Sequence, residues 1–292
     1  MLVTELALVA DTNQVSCSQL CRVAAALQKQ ATRDFQPIWE ITATVDAFDR
    51  LEDVPIGYLP MIVRDDIGFE GAAGIHLDDN GQPFALIQFS DSWSLTASHE
   101  MLEMLVDPMG NRLVAGQSPH PDQGRVEFLV EVADPSEAAE FGYTVNGLLL
   151  SDFFTPQFYD PVAAAGVRYS FGGHIPEPRQ ILRGGYISWH EPVSDHWWQQ
   201  IWFGTVEPRF RDLGRLTARN GSLRSAIDAR TGTSARIAQS GPQSERFADA
   251  RAFLPLIAEA TTARASGWQA QIDALKAGEY QEGTWEGGEE ND

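Results

Sequence analysis

Apolar and polar positions recur along this chain with two different periods, and the switches between them mark its elements. Leu2, Val3, Leu6, Ala7, Leu8, Val9 and Ala10 form a mostly apolar run closed by Asp11-Thr12-Asn13. That pattern predicts a buried strand followed by a helix cap. Val15, Leu20, Val23, Ala24 and Leu27 then recur at helical spacing over residues 14–31. Over 35–45, Ile38, Glu40, Thr42 and Thr44 alternate with Trp39, Ile41, Ala43 and Val45, the two-residue period of a strand. Residues 59–65 predict another strand. Segments 74–78 and 83–89 flank Asp79-Asn80-Gly81-Gln82, whose Asn-Gly pair is a hairpin signal. The helical period returns with Met101, Leu102, Met104, Leu105 and Val106. Thr96 or Ser98 is the expected cap, and Pro108 biases Asp107 out of helical geometry.

This last helix also carries ligand chemistry. Residues four apart lie one above the other on a helix, so His99 and Glu103 can hold one ion between them. Glu100 sits about 100° around the axis, where a base would activate a bound water. A half-buried helix with three solvated polar groups is the plainer reading of the same residues. The run Ser98-His99-Glu100-Met101-Leu102-Glu103 resembles the His-Glu-x-x-His helix of zincin metallopeptidases, with glutamate at the second ligand position. Carboxylate is an accepted zinc ligand, but its charge makes the metal less Lewis-acidic and favours other divalent ions more than histidine would. The order strand, helix, strand, strand, hairpin, helix over residues 1–108 is similar to a zincin upper subdomain. The resemblance implies that segment 83–89 is the sheet edge that holds an extended peptide. The run SHEMLEMLVDP, with VEVADP and SDFF after it, also resembles a set of bacterial proteins, a likeness that supplies no reaction.

A third ligand has to come from elsewhere. Asp107 lies about 12 Å along the axis from His99, too far to share one ion, and is expected to orient a loop beside the site. Residues 125–134 predict a strand bearing Glu127, Glu131 and Asp134 among apolar positions, with Pro135 after it. The zincin resemblance implies Glu131 as third ligand and Asp134 as support for His99; a charge on a solvated strand face is the alternative for Glu131. Val145-Asn146-Gly147-Leu148 predicts a second hairpin. Asp152 and Tyr159 can reach the same cleft, where the Tyr159 phenol would stabilise an oxyanion; an aromatic core corner is the competing reading of Phe153 to Tyr159. His174 sits in a glycine-rich turn that can bring its imidazole into a cleft. His190 and His196 read as surface or ring-stacked, and His76 and His120 have no partner at ligand spacing. Trp189, Trp197, Trp198 and Trp202 form a recognition surface or a satellite core.

Composition narrows the function classes. With 21 basic against 41 acidic side chains the formal charge is -20, which argues against nucleic-acid binding. No apolar run reaches membrane-spanning length. Cys17 and Cys21, the two cysteines, lie at helical spacing and read as reduced core thiols. With no signal-peptide pattern at Met1, a soluble cytoplasmic protein is expected. From Arg209 to Arg251 there are nine arginines against four acids, a reversal of the overall balance. That stretch predicts either an assembly surface for self-association or a protein partner, or a solvated extension.

The expected organisation is a zincin-like α+β domain over 1–204, an arginine-rich and helical extension over 205–281, and an acidic disordered tail over 282–292. The domain combines a mixed sheet, an active-site-type helix and a β-rich segment. Two functions are carried forward. One is a metal-dependent hydrolase, most simply a zincin-like peptidase acting on a peptide or protein substrate, with zinc or another divalent metal on His99, Glu103 and Glu131 and water activated by Glu100. The other is a non-catalytic assembly component on the same scaffold.

Overall fold

Residues 3–69, 72–79, 81–218 and 222–231 are described by the computed structural model. β1 (Val3–Asp11) is an interior strand of a five-stranded sheet with β2 (Thr42–Phe48), β3 (Leu59–Arg64), β4 (Gly74–Asp79) and β5 (Gln82–Gln88), in the order β2-β1-β3-β5-β4. β2, β1, β3 and β5 run parallel, and β4 is antiparallel to β5. Leu6, Ala7, Leu8 and Val9 are all buried, as a parallel strand covered on both faces requires. One face of the sheet, with Leu6, Leu8, Met61, Val63, Ala85 and Ile87, belongs to the main core; the other packs Ile62, Ile75, Phe84 and Leu86.

The main core is closed by two helices. α1 (Cys17–Lys29) starts in a capping box: Ser16 Oγ accepts from the Gln19 backbone N–H, and the Gln19 side chain accepts from that of Ser16. It buries Leu20, Val23, Ala24 and Leu27. Cys17 and Cys21 fall on its opposite side, so they are exposed free thiols with Sγ atoms 3.9 Å apart, not core thiols. The chain then stays helical through a π-helical turn, Gln30–Phe35, and the short α2 (Gln36–Trp39). The expected strand at 35–45 therefore begins only at Thr42. Phe35 and Trp39 stack on one another, and Glu40 in the left-handed region (φ 56°) ends the helix. α3 (Trp93–Val106) packs on β5 and β4. It begins earlier than Thr96 or Ser98 would set it. Ser98 is instead buried, donating to Gln30 Oε1 and accepting from the Ser151 backbone N–H.

A second, antiparallel sheet contains β6 (Leu113–Gln117), β7 (Arg125–Leu129), β10 (Tyr186–Glu191), β11 (His196–Ile201) and β12 (Arg209–Gly214), in the order β12-β11-β10-β7-β6. Between β7 and β10, β8 (Tyr143–Val145) and β9 (Leu148–Leu150) form the second hairpin, which turns at Asn146-Gly147 as its sequence predicts. α4 (Leu223–Thr231) follows β12. Ile227 of α4 joins Leu129, Trp197 and Leu213 in a small core, and Trp189 is fully buried in the main one. The boundary expected at 204 falls between β11 and β12, neighbouring strands of this sheet. The fold is α+β, with a mixed sheet followed by β-rich structure. The helical periodicity over 247–275 and the acidic tail lie outside the described residues. No helix among the described residues is long and apolar enough to cross a membrane.

Candidate metal centre

Three segments converge on the space between α3 and the edge of the first sheet. α3 contributes His99, Glu100 and Glu103. β4 contributes His76, whose cross-strand partner is Ala85. Cross-strand partners share a face, and Ala85 belongs to the core on which α3 packs, so His76 points at the helix while Ile75 and Leu77 face away. The third segment follows β7. The strand stops at Leu129, and the chain turns through Glu131 into a 3-10 turn, Asp134–Ser136. The strand expected to reach 134 is thus shorter, and this early end is what brings both Glu131 and Asp134 inward. Gly185 makes the tight approach possible, because a Cβ there would lie 2.5 Å from the Pro135 carbonyl oxygen.

The donor atoms form two groups that share one carboxylate. His99 Nε2 lies 3.3 Å from Glu103 Oε1 and 3.2 Å from Asp134 Oδ1. His76 Nδ1 lies 3.4 Å from Glu103 Oε2 and 3.6 Å from Glu100 Oε2. In each group of three, ligand-type atoms all fall within 4.8 Å of one another, so either group could hold a metal ion. Glu103 and Asp134 have no exposure, and His99 at 13% is the most open of these residues. Several of these buried atoms lack a hydrogen-bond partner: both nitrogens of His76, Glu100 Oε2, Glu103 Oε1, Glu131 Oε2 and both oxygens of Asp134. Buried polar atoms without partners are costly, and a cluster of them facing one another is a place that could hold a cation.

One cation is already built in. Arg224 of α4 donates from Nη1 to Glu131 Oε1, and the same nitrogen stands 3.4 Å from Glu103 Oε2 and 3.7 Å from Asp134 Oδ2. Its Nε pairs with Asp228, and its Nη2 reaches the Tyr186 hydroxyl at 3.2 Å. The site's proton affinities follow from this crowding. Burial alone would lower the His76 pKa, but Glu100 and Glu103 carry it up to about 9. His99 is likewise held well above the ordinary imidazole range by Glu103 and Asp134, against its burial. Burial works to raise Glu103, yet His99, His76 and Arg224 hold it well below the usual carboxylate range. Asp134 is pushed well up by burial and by Glu103, and Glu137 rises to about 8 through burial and Asp134.

His99, Glu100, Glu103, Glu131 and Asp134 are therefore brought together, but Glu131 and Asp134 stand in exchanged positions. Asp134, expected behind His99, faces the helix ligands directly, while Glu131 pairs with Arg224. Asp107 sits at the end of α3 and accepts from the Asn111 and Arg112 backbone N–H groups at 2.9 and 2.8 Å, organising that loop. Tyr159 is not in the cluster. Its ring packs on Phe128, Phe154 and Phe158, and the charges acting on its hydroxyl are Arg112 and Asp107. The tyrosine beside the metal-type ligands is Tyr186. Asp152 is held by the Gly172 backbone N–H, and His174 rests against Phe141. The His190 ring lies tilted beside that of Trp197, 5.5 Å between centroids, and pairs with Glu127 and Asp195.

Sequence reasoning missed His76, Tyr186 and Arg224. For His76 a signal existed: strand alternation sets it opposite Ile75 and Leu77, on the face that β4 turns towards α3. Arg224 is 121 residues from Glu103 and 93 from Glu131, with no local pattern to connect them. No protein-family model, curated protein or solved structure matches this chain.

Proposed function

We propose that this protein is a divalent-cation-dependent hydrolase, with zincin-type peptidase chemistry as the best reading of its site. The observation that carries this is the spacing of His99 Nε2, Glu103 Oε1 and Asp134 Oδ1. Zinc–ligand bonds of about 2.0–2.1 Å at tetrahedral angles set neighbouring ligand atoms about 3.4 Å apart; here the histidine nitrogen stands 3.3 and 3.2 Å from the two carboxylate oxygens. One nitrogen and two carboxylate oxygens suit zinc, and equally a harder ion such as manganese. Such an ion polarises a carbonyl and makes a bound water acidic. Glu100, adjacent to His99 on α3 and with Oε2 lacking a hydrogen-bond partner, would take that proton and pass it to the leaving amine. Tyr186 replaces Tyr159 as the phenol beside the reacting groups.

The substrate edge changes as well. β5 lies inside the sheet between β3 and β4, so segment 83–89 offers no edge to a peptide; β4, which carries His76, is the terminal strand. An extended peptide substrate would add along β4. The assembly reading draws on the arginine-rich stretch, but Arg211 donates to the Thr231 and Arg230 carbonyls, Arg230 to that of Leu213, and Arg224 enters the cluster. These arginines are used within the fold, which leaves the hydrolase reading ahead.

Elemental analysis of purified protein tests the proposal. We expect at least one divalent ion per chain, and fewer in His99→Ala and Glu103→Ala than in the wild type. Glu100→Gln should keep an ion and lose about 100-fold or more of peptide hydrolysis. Protein that takes up neither zinc nor manganese would overturn the reading.

A further inference from the structure

We infer that the cluster holds two divalent cations bridged by Glu103, with His76 and Glu100 holding the second. This rests on the hydrolase reading of the same cluster and extends it to residues that reading leaves without a ligand role. His76 is 3% exposed, and neither ring nitrogen has a hydrogen-bond partner. Its Nδ1 stands 3.4 Å from Glu103 Oε2 and 3.6 Å from Glu100 Oε2. These separations repeat, within a few tenths of an ångström, those around His99.

The two oxygens of Glu103 are divided between the groups: Oε1 faces His99 and Oε2 faces His76. A carboxylate with one imidazole on each oxygen is the arrangement of a bridge between two ions, whereas a ligand of one ion needs a single oxygen. Glu100 is confined to the His76 side, because β4 passes so close that a Cβ at Gly74 would lie 2.5 Å from Glu100 Oε1. The charges allow a second ion too. Glu103, Glu131, Asp134 and Asp228 share the single guanidinium of Arg224, and Glu100 pairs with His76, so the cluster is rich in carboxylate before the histidines are counted. Arg224 approaches Glu103 Oε2 while bound to Glu131, so it bounds the second position without supplying its His76 and Glu100 ligands. With both positions filled, Glu100 is a ligand, and acidification of water falls to two cations acting together.

Manganese titration of chelator-stripped protein tests this. Calorimetry should give two Mn(II) per chain, and the electron paramagnetic resonance spectrum should show exchange-coupled ions. His76→Gln and Glu100→Gln should each reduce the stoichiometry to one and abolish the coupling, while His99→Gln should remove the other ion. One Mn(II) per wild-type chain, or two that persist uncoupled in His76→Gln, overturns the second site and leaves the single-ion hydrolase standing. No binding at all overturns both. Where a histidine variant fails to fold, the wild-type stoichiometry and coupling decide by themselves.

Discussion

At the scale of single residues, Asp134 and Glu131 differ in what they face. Asp134 faces His99 with Oδ1, which has no hydrogen-bond partner, while Glu131 spends one oxygen on Arg224. Glu131→Gln should weaken divalent binding by about 10- to 100-fold, the range for groups that support ligands. Asp134→Asn should weaken it further, and calorimetry giving equal losses would refute the distinction. Protons compete for the same atoms. In chelator-treated protein, His76 binds its proton more tightly folded (about 9) than unfolded (6.5), so its contribution to stability is complete below pH 6.5 and is lost as pH rises through about 9. Glu137, raised from 4.5 to about 8, acts in the same direction over a lower window. Metal-free protein should therefore lose stability steadily as pH rises from 5 to 9, as urea denaturation would show; a midpoint rising with pH would contradict the carboxylate pairing described for His76 and the burial described for Glu137.

At the scale of elements, the site depends on how closely β4 and α4 approach α3. Gly74→Ala places a Cβ 2.5 Å from both Glu100 Oε1 and Thr96 Cγ2. The overpacking should cost about 1–3 kcal/mol and displace Glu100, seen as a lower thermal midpoint together with weaker Mn(II) binding. Arg224 brings a guanidinium to buried carboxylates, of which Glu103 and Asp134 are otherwise met by His76 and His99. Arg224→Ala should destabilise metal-free protein by roughly 3–5 kcal/mol, with much of the loss recovered on adding Mn(II); unchanged denaturation in chelator would show that the guanidinium is not needed. The elements themselves were largely legible. Alternation located β4 and β5, and the three- and four-residue spacing located α1 and α3. The segment 35–45 misled because β-branched and aromatic residues follow Phe35 at strand-like spacing, while packing of Phe35 and Trp39 extends the helix. Likewise, the apolar pattern after Arg125 continues beyond Leu129, but its later residues are buried in a turn and not in a strand.

At the scale of the whole molecule, α4 joins the distant end of the described chain to the cluster. Truncation near Arg209 would remove β12, Ile227 and Arg224 together, so it should lower the unfolding midpoint sharply and would report on folding more than on assembly. Truncation after Thr231 keeps all three and is the cleaner test of association through the later arginines. If the hydrolase reading holds, that shorter chain should retain its metal in elemental analysis.

Residue order alone determined the α+β class, the helix with His99, Glu100 and Glu103 on adjoining faces, and the presence of acidic residues after β7. Each follows from backbone periodicity, which is local. Tertiary structure decided which acid faces His99, that β4 and not β5 is the edge, and that Tyr186 stands where Tyr159 was expected. It also decided that His76 and Arg224 belong to the cluster at all. Those facts depend on where a strand ends, which face packs on a helix, and how segments about a hundred residues apart meet, and no repeat along the chain encodes a distance across it.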